Sequence, residues 1–493
     1  MSDTSSLKRN GLYNFLGSTL PIFVSLVTIP LYLSHVGAAA YGVLSIVWML
    51  QGYFGFFDFG LTRATANQVA KLKHGTADDR ESIFWTALIL NTCSGLIGGI
   101  VLYLVGALAI EHFVQAQDAL RNEVLRSMPW IAASVPITTI SGVLVGSVEG
   151  REKFGVLNAV QLVNMFIFQT FPLLASYAIG PSLNVIIPAS IIGGCISIIV
   201  LAITAFFCFP LRMTGKPKRK LVKVLFSYGV WISISNFILP IMEAADRFII
   251  SRFLGAVAVA QYNVPFNLSI RVRIIPSVIS RTIFPRMSAQ DSKTSLDFFE
   301  KATKLLAAVL TPVIVLGIFA MGPFIHFWIN PTFAIQAGPI GCILLLGIWF
   351  NSLAFIPVAY LQAQARPGVV ARLQLWQVIP FLTVLWFSIH HFGLLGAAWA
   401  WTARVAIDAV LLTNAVDQGI KFMKFCVFPI TILIVSYVVN ELLVTSVASA
   451  AAIGAPFVLV CAVWAYRTEP RIQEIVKNSV YSRKMKNLDK MNG

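Results

Sequence analysis

The sequence predicts an all-α polytopic membrane protein of about fourteen transmembrane helices, arranged as two six-helix lobes in parallel repeat plus two C-terminal helices. Three observations support this fold class. Hydrophobic residues make up 57% of the 493 positions and charged residues only 12%. Long apolar runs recur from one end of the chain to the other, and one turn motif occurs twice.

Each apolar run is long enough to span a bilayer, because about 20 helical residues cross roughly 30 Å of hydrocarbon. The first run lacks a convincing small-residue cleavage site and is predicted to remain as a helix. In chain order the predicted spans are 10–34, 40–60, 83–108, 128–148, 155–178, 183–208, 224–251, 257–282, 300–328, 337–362, 371–390, 394–416, 424–442 and 446–466.

Lysine and arginine give the predicted orientation. With the N-terminus inside, most basic residues fall in cytoplasmic segments, six of them in RMTGKPKRKLVK (212–223). The outside loops hold only Arg121, Arg126 and Arg252. Basic residues favour the cytoplasmic side, so both termini are predicted to be cytoplasmic. The net charge of +16 is therefore mainly a topology signal. A nucleic-acid partner is not expected, since no basic patch with interleaved aromatic residues lies outside the spans.

The turn motif predicts an internal repeat. Residues 31–41 read LYLSHVGAAAY and residues 249–262 read IISRFLGAVAVAQY, each with Gly-Ala between a span end and a tyrosine. Gly37 and Gly255 are six predicted spans apart, and an even number gives both copies one orientation. Parallel repeats of this kind are built into transporters, with the substrate site between the repeats near the bilayer midplane.

The repeat divides the chain into five predicted parts. They are an N-lobe (1–208, helices 1–6), a basic cytoplasmic linker (209–223), a C-lobe (224–416, helices 7–12), helices 13 and 14 (417–466) and a basic cytoplasmic tail (467–493).

Helix 7 carries the most informative polar residues. Asn236, Glu243 and Arg247 share one helical face, and Asp246 lies three residues after Glu243. A charge at the centre of a membrane helix costs roughly 2.5–3.5 kcal/mol, so such groups face the bundle interior or water and usually pair. Glu243 and Arg247 have the i, i+4 spacing of a pair. The alternative is a solvated structural cluster at the outer interface.

Further candidates lie on other helices. Asn263, Asn267 and Arg271 share one face of helix 8, which favours a cationic lining, and Asn14 lies on a polar face of helix 1. Four further charges lie near the end of helix 2 and on helix 12. Each could form a gate, an ion pair at a helix end or a structural bridge. These charges are Asp58 and Arg63 near the end of helix 2, and Arg404 and Asp408 on helix 12.

Motifs of several function classes are missing from the sequence. There is no GxxxxGK[ST], HExxH or GxSxG motif, so neither P-loop hydrolysis nor two common hydrolase mechanisms are indicated. The six cysteines form no CxxC or Cys/His cluster, so no metal site or disulfide framework is predicted. We expect a protein that is not an enzyme and has no cofactor.

Several segments resemble the Wzx-type polysaccharide (O-antigen) flippases, which belong to the multidrug/oligosaccharidyl-lipid/polysaccharide exporter superfamily. The segments span nearly the whole chain, although each alone is a loose motif. They are SHVGAAAYGVLSI (34–46), FDFGLTRA (57–64), EGREKFGVLNAVQ (149–161), SYGVWISISN (227–236), DRFIISRFLGAVAVAQYNV (246–264), LQAQARPGVV (361–370) and FGLLGAAWAW (392–401).

This resemblance implies an inner-membrane flippase that exports undecaprenyl-diphosphate-linked oligosaccharide by alternating access through a cationic cavity between the lobes. Membrane lipids and other polysaccharide assembly proteins are the implied partners. Arginine binds diphosphate oxygens in a bidentate manner. The implied substrate residues are Arg247, Arg271, Asn14, Asn236, Asn263 and Asn267. The implied coupling or gating residues, which would respond to H⁺ or Na⁺, are Glu243, Asp246, Asp58, Arg63, Arg404 and Asp408.

Two other functions are compatible with parts of the sequence. A MATE-like cation or drug antiporter would have the same fold, but such proteins usually carry an acidic residue in helix 1, and span 10–34 has none. A membrane polymerase or ligase acting on lipid-linked glycan usually needs a substantial outside loop. The longest predicted outside loop here is only about residues 109–127.

Overall fold

The computed structural model describes the protein as a set of α-helices. It covers residues 23–71, 76–113, 118–151, 153–208, 217–289, 292–364, 366–444 and 446–474, and these ranges contain no strand. The helices of the first half are α1 Phe23–His35, α2 Ala38–Phe54, α3 Leu61–Lys71, α4 Ala77–Phe113, α5 Asp118–Arg126, α6 Met128–Gly150, α7 Phe154–Ala178 and α8 Leu183–Cys208. Those of the second half are α9 Arg219–Ile270, α10 Ile274–Ala289, α11 Ser292–Trp328, α12 Pro331–Leu353, α13 Phe355–Ala363, α14 Pro367–Asn414, α15 Gly419–Leu443 and α16 Val447–Thr468.

The chain forms two compact units, residues 1–260 and 261–493. In the first unit, α4 packs against α6, and a hydrophobic core that includes Leu61, Ile83 and Val143 joins α3 to both. In the second unit, α11 packs against α12, α15 and α16. The predicted boundaries of the lobes, linker and tail remain a prediction.

Ten helical segments are long and apolar enough to cross a membrane, among the residues that the structure describes. They are Ala38–Asp58, Asp78–His112, Met128–Gly150, Gly155–Ala178, Leu183–Cys208, Thr294–Trp328, Pro331–Ala363, Gly368–Asn414, Gly419–Leu443 and Val447–Thr468. The predicted all-α membrane fold is therefore confirmed, and the count of fourteen spans remains a prediction.

The remaining predicted spans have identifiable counterparts. Only residues 23–34 of predicted span 10–34 are described, as part of α1. Predicted spans 371–390 and 394–416 both lie within Gly368–Asn414. Spans 224–251 and 257–282 fall on α9 and α10, outside the ten candidates.

Two glycines interrupt the longest helices where the sequence predicts a change of span. Gly255 in α9 has φ 82° and ψ 176°, and Gly393 in α14 has φ 59° and ψ −139°. Glycine adopts positive φ easily because it lacks a Cβ. Each long helix is thus two helical segments joined at a single residue, near the predicted divisions at 251/257 and 390/394.

The two halves share local backbone features that match the predicted repeat. Gly37, between α1 and α2, has φ 90°, close to the φ of 82° at Gly255. A 3₁₀ segment follows α2 at Gly55–Asp58, and another follows α9 at Arg271–Arg273. Each half therefore has a positive-φ glycine followed by a helix that ends in a 3₁₀ turn. The parallel repeat predicted from sequence has this counterpart in the backbone.

Several predicted boundaries were wrong by one or two turns. Helix α4 begins at Ala77 and not at residue 83, and α11 begins at Ser292 and not at residue 300. Both starts carry charged residues, which hydropathy excludes from a span although they extend the same helix. Predicted span 337–362 is two helices, α12 and α13, which meet at Ala354.

Candidate functional site

Asp246 and Arg247 form a buried ion pair in α9. Arg247 Nη1 lies 3.1 Å from Asp246 Oδ1, and the backbone N–H of Arg247 donates to the same oxygen at 2.7 Å. Asp246 is 0% exposed and Arg247 is 6% exposed. Burying a charge is costly unless it is paired and hydrogen-bonded. The contact with Asp246 therefore helps the Arg247 guanidinium to stay buried in α9.

Three of the predicted site residues have no described side chain. Asn14 lies outside the described residues altogether. Asn236 and Glu243 lie in α9, but the structure describes only their backbone. Their roles, and the predicted pairing of Glu243 with Arg247, remain predictions. The described partner of Arg247 is its neighbour Asp246, a contact that i, i+4 spacing does not suggest.

The predicted polar face of helix 8 lies in the C-terminal part of α9. Asn263 is buried, at 7% exposure, and Asn267 is partly buried one turn further along. Arg271 begins the 3₁₀ segment and is also partly buried. Two amides and a guanidinium thus follow one another at four-residue intervals. The amides lie within α9, and the guanidinium lies just after its last residue. This order suits a ligand with hydroxyl groups beside an anionic group.

Asp58 accepts hydrogen bonds from two different helices. Its Oδ1 accepts from the Thr62 hydroxyl at 2.9 Å and from Asn91 Nδ2 on α4 at 3.0 Å. The backbone N–H of Thr62 also donates to the carboxylate, at 3.2 Å. Arg63, the other predicted gate residue, is exposed. The carboxylate is therefore held by neutral donors, and it joins α3 to α4.

Asn91 is the residue of this network that sequence reasoning missed. It is 0% exposed, and its backbone carbonyl accepts from the Thr139 hydroxyl on α6 at 2.8 Å. Asn91 links α4 to both the Asp58 turn and α6. The only signal in the sequence was an isolated amide within the apolar run ALILNTCSG (87–95).

Arg404 and Asp408 are both buried in α14 and have neighbours on another part of that helix. Gln377 Nε2 donates to Asp408 Oδ1 at 2.8 Å. The Arg404 guanidinium carbon lies 5.4 Å from the centre of the Phe381 ring, a cation–π distance. These contacts join the two spans on either side of Gly393. They describe a structural bridge, and the predicted gating role of the two charges remains a prediction.

The sequence of this chain is similar to those of known membrane proteins. Residues 7–290 match the family described as polysaccharide biosynthesis protein. A Shigella flexneri protein named "Putative O-antigen transporter" is 29% identical over 412 residues, which cover 83% of this chain and 97% of that protein. An uncharacterised Bacillus subtilis membrane protein, EpsK, is 22% identical over 433 residues, 84% of each chain.

Solved structures show the same fold at low sequence identity. The lipid II flippase MurJ, in an inward closed conformation, aligns with TM-score 0.70 and 15% identity over 93% of this chain and 98% of MurJ. An inward-facing multidrug resistance transporter of the MATE family aligns with TM-score 0.67 and 13% identity over 83% of this chain and 98% of that one. Because ten helices among the described residues are long and apolar enough to cross a membrane, the chain is a multi-pass helical membrane protein.

Proposed function

Since the chain belongs to the polysaccharide biosynthesis protein family, we propose that it is a flippase for undecaprenyl-diphosphate-linked oligosaccharide. It transfers the glycan head group across the cytoplasmic membrane by alternating access, with both termini in the cytoplasm. The Shigella flexneri relative, matched over 97% of its length, supports this substrate class by its name. The likeness to MurJ supports a fold that accommodates such a cycle.

The polar face at Asn263, Asn267 and Arg271 is the observation that carries the proposal. The guanidinium of Arg271 has five N–H donors in a planar fork, which matches the oxygens of a diphosphate. The amides at Asn263 and Asn267 both donate and accept, as recognition of sugar hydroxyls requires. Such a face suits a glycan diphosphate better than a cationic drug.

Transport of this kind needs no bond to be made or broken in the substrate. We therefore assign the cycle to binding and release of the substrate, with no enzymatic step and no bound cofactor. Asp246 and Asp58 are the described carboxylates best suited to couple the cycle to H⁺ or Na⁺, because each is held inside the helical bundle. Other polysaccharide assembly proteins are the expected partners at the two membrane surfaces.

An antiporter of the MATE type is the second candidate, since an inward-facing member has a similar fold at TM-score 0.67. The two functions predict different cargo. A cation antiporter needs a carboxylate at its binding face, whereas the described face of α9 from Asn263 to Arg271 contains amides and a cation.

A deletion strain separates the two functions. If the protein is a flippase, cells without it accumulate lipid-linked oligosaccharide in the inner leaflet and lose the surface glycan. An impermeant glycosidase is added to spheroplasts, and the measurement is the amount of lipid-linked oligosaccharide that stays protected from the enzyme. Normal surface glycan together with increased drug sensitivity would contradict the flippase and support the antiporter.

A further inference from the structure

A cavity of about 480 Å³ lies in the second unit, away from the polar face of α9. It is formed where α11 ends, α12 begins, α15 ends and α16 begins. The predicted topology places all four of these helix ends on the outer side of the membrane. Helices α15 and α16 pack on α11, so the C-terminal pair of helices completes a pocket that the preceding helices leave open.

The wall of this pocket is mainly apolar, with one carboxylate. Prolines 323, 331 and 339 line it together with Ile335 and Val447, whose side chains are 71% and 45% exposed. Glu441 is the acidic residue in the lining, and no lysine or arginine is among the described residues that surround the cavity. In a chain of net charge +16, this pocket is lined by one carboxylate and one histidine, His326.

The position of Glu441 in its helix favours a cationic partner for its carboxylate. It lies in the last turn of α15, which ends at Leu443, and the carbonyl ends of a helix disfavour a negative side chain. Two helices begin at the same pocket, but their first turns already have caps. Asn330 accepts from the Phe333 N–H at 2.7 Å, and Ser446 accepts from the Ser449 N–H at 3.1 Å.

The Asn440 side chain donates to the Glu441 carboxylate and also presents an acceptor oxygen beside it. Asn440 Nδ2 lies 3.7 Å from Cys342 Sγ, and that thiol donates to the Ile318 carbonyl at 3.3 Å. Because the thiol hydrogen is used, the sulfur accepts from Asn440, which fixes the orientation of the amide. Asn440 Oδ1 is then a buried acceptor with no hydrogen-bond partner among the described residues.

We propose that this pocket binds a primary ammonium group carried on an organic body. The carboxylate of Glu441 and the amide oxygen of Asn440 would accept from the ammonium, and the prolines would contact the carbon skeleton. The volume falls in the range of small-molecule sites, about 300–1,000 Å³. A metal ion is disfavoured, since no cluster of three metal-binding side chains occurs among the described residues. The proposal does not depend on the transported cargo.

Two sources of such an ammonium group reach the outer surface: the head group of phosphatidylethanolamine and a soluble amino sugar. The full chain is purified in detergent, and bound lipid is measured by native mass spectrometry during titration with phosphatidylethanolamine, phosphatidylcholine or phosphatidylglycerol. Glucosamine is added as a competitor. We expect phosphatidylethanolamine to bind in preference to phosphatidylcholine, whose quaternary nitrogen has no N–H to donate, and to anionic phosphatidylglycerol.

The variant Glu441→Gln should weaken this binding about tenfold, as expected for the loss of one hydrogen bond to a charged group. Glu111→Gln is the matched control, because Glu111 is an exposed carboxylate near the end of α4, on the same predicted side of the membrane. Val447→Trp, which fills the mouth of the pocket without changing charge, should also abolish binding.

The possible outcomes distinguish the lipid head group from a soluble amino sugar, and both from a pocket that binds no ammonium group. Binding of glucosamine without binding of the lipid, weakened in Glu441→Gln, assigns the site to a soluble amine and keeps the ammonium chemistry. Equal binding of the three phospholipids, no binding of any amine, or an unchanged Glu441→Gln variant would overturn the proposal.

Discussion

The described contacts of Asp58, Asp246 and Arg247 show two ways in which a charge is held inside this protein. Asp246 and Arg247 neutralise one another, whereas Asp58 is held by the donors of Thr62 and Asn91. The two arrangements have different consequences. An ion pair leaves a buried charge when one partner is removed, which is strongly destabilising. When a carboxylate that is held by neutral donors is removed, those donors lose their acceptor, and the loss of stability is smaller.

The ion pair gives a prediction that separates folding from transport. Asp246→Ala should lower stability by about 3 kcal/mol or more, because Arg247 is left buried without this partner. The double variant Asp246→Ala/Arg247→Ala should recover part of that loss, since no uncompensated charge of the pair remains. Thermal unfolding in detergent measures both effects. Glycan export should stay defective in the double variant, because Arg247 is assigned to the anionic substrate.

Two outcomes would contradict these assignments. Full export by a stable double variant would show that Arg247 has only a structural role. Equal melting temperatures for the single and double variants would show that the pair is not coupled.

At the residue level the sequence was informative about which polar residues are buried, but not about their contacts. Hydropathy marks Asp246, Arg247 and Asp408 because a charge in an apolar run is rare. Helical spacing predicts Glu243 as a partner of Arg247, which stays a prediction, and it does not suggest the described contact of Arg247 with the adjacent Asp246. Asn91 has no pattern around it that predicts a neighbour 33 positions away.

At the level of helices, glycines set how closely two elements approach. Gly142, Gly146 and Gly150 recur every four residues and form one stripe along α6. A Cβ at Gly146 would meet the Thr62 carbonyl oxygen, and one at Gly150 would lie 2.7 Å from the Ala66 carbonyl oxygen. Helix α3 thus packs with its backbone directly on α6. Small residues allow such close contacts between membrane helices.

This packing predicts a clear effect of one methyl group. Gly146→Ala should destabilise the protein by about 1–3 kcal/mol, the usual cost of overpacking, because the Thr62 carbonyl belongs to the backbone and cannot rotate away. Gly155→Ala is the matched control, since a Cβ there meets nothing within 4 Å. Melting temperatures of the two variants in detergent provide the comparison. A Gly146→Ala variant as stable as the control would contradict the close contact.

The positions of most helices along the chain, and two of the turns between them, could be predicted from the sequence. The runs of apolar residues give the spans, and Gly255 and Gly393 mark the turns because positive φ favours glycine. The ends of α4 and α11 could not be predicted by hydropathy, since a helix continues into water without an apolar run. The division of the 337–362 span into α12 and α13 likewise has no signal in hydropathy.

On the scale of the whole molecule, the chain forms two compact units, and the division into two six-helix lobes stays a prediction. Membership of the polysaccharide biosynthesis protein family limits the plausible cargo to intermediates of that chemistry. The cationic end of the α9 face suits the diphosphate of such an intermediate.

The most direct test is a translocation assay in liposomes. The purified chain is reconstituted with undecaprenyl-diphosphate-linked oligosaccharide, and an impermeant glycosidase measures how much substrate reaches the outer leaflet over time. Wild-type protein should expose the inner-leaflet substrate, Arg271→Ala should slow this at least about tenfold, and Arg372→Ala, at an exposed arginine, should not. Exposure no faster than in protein-free liposomes would contradict the proposed flippase.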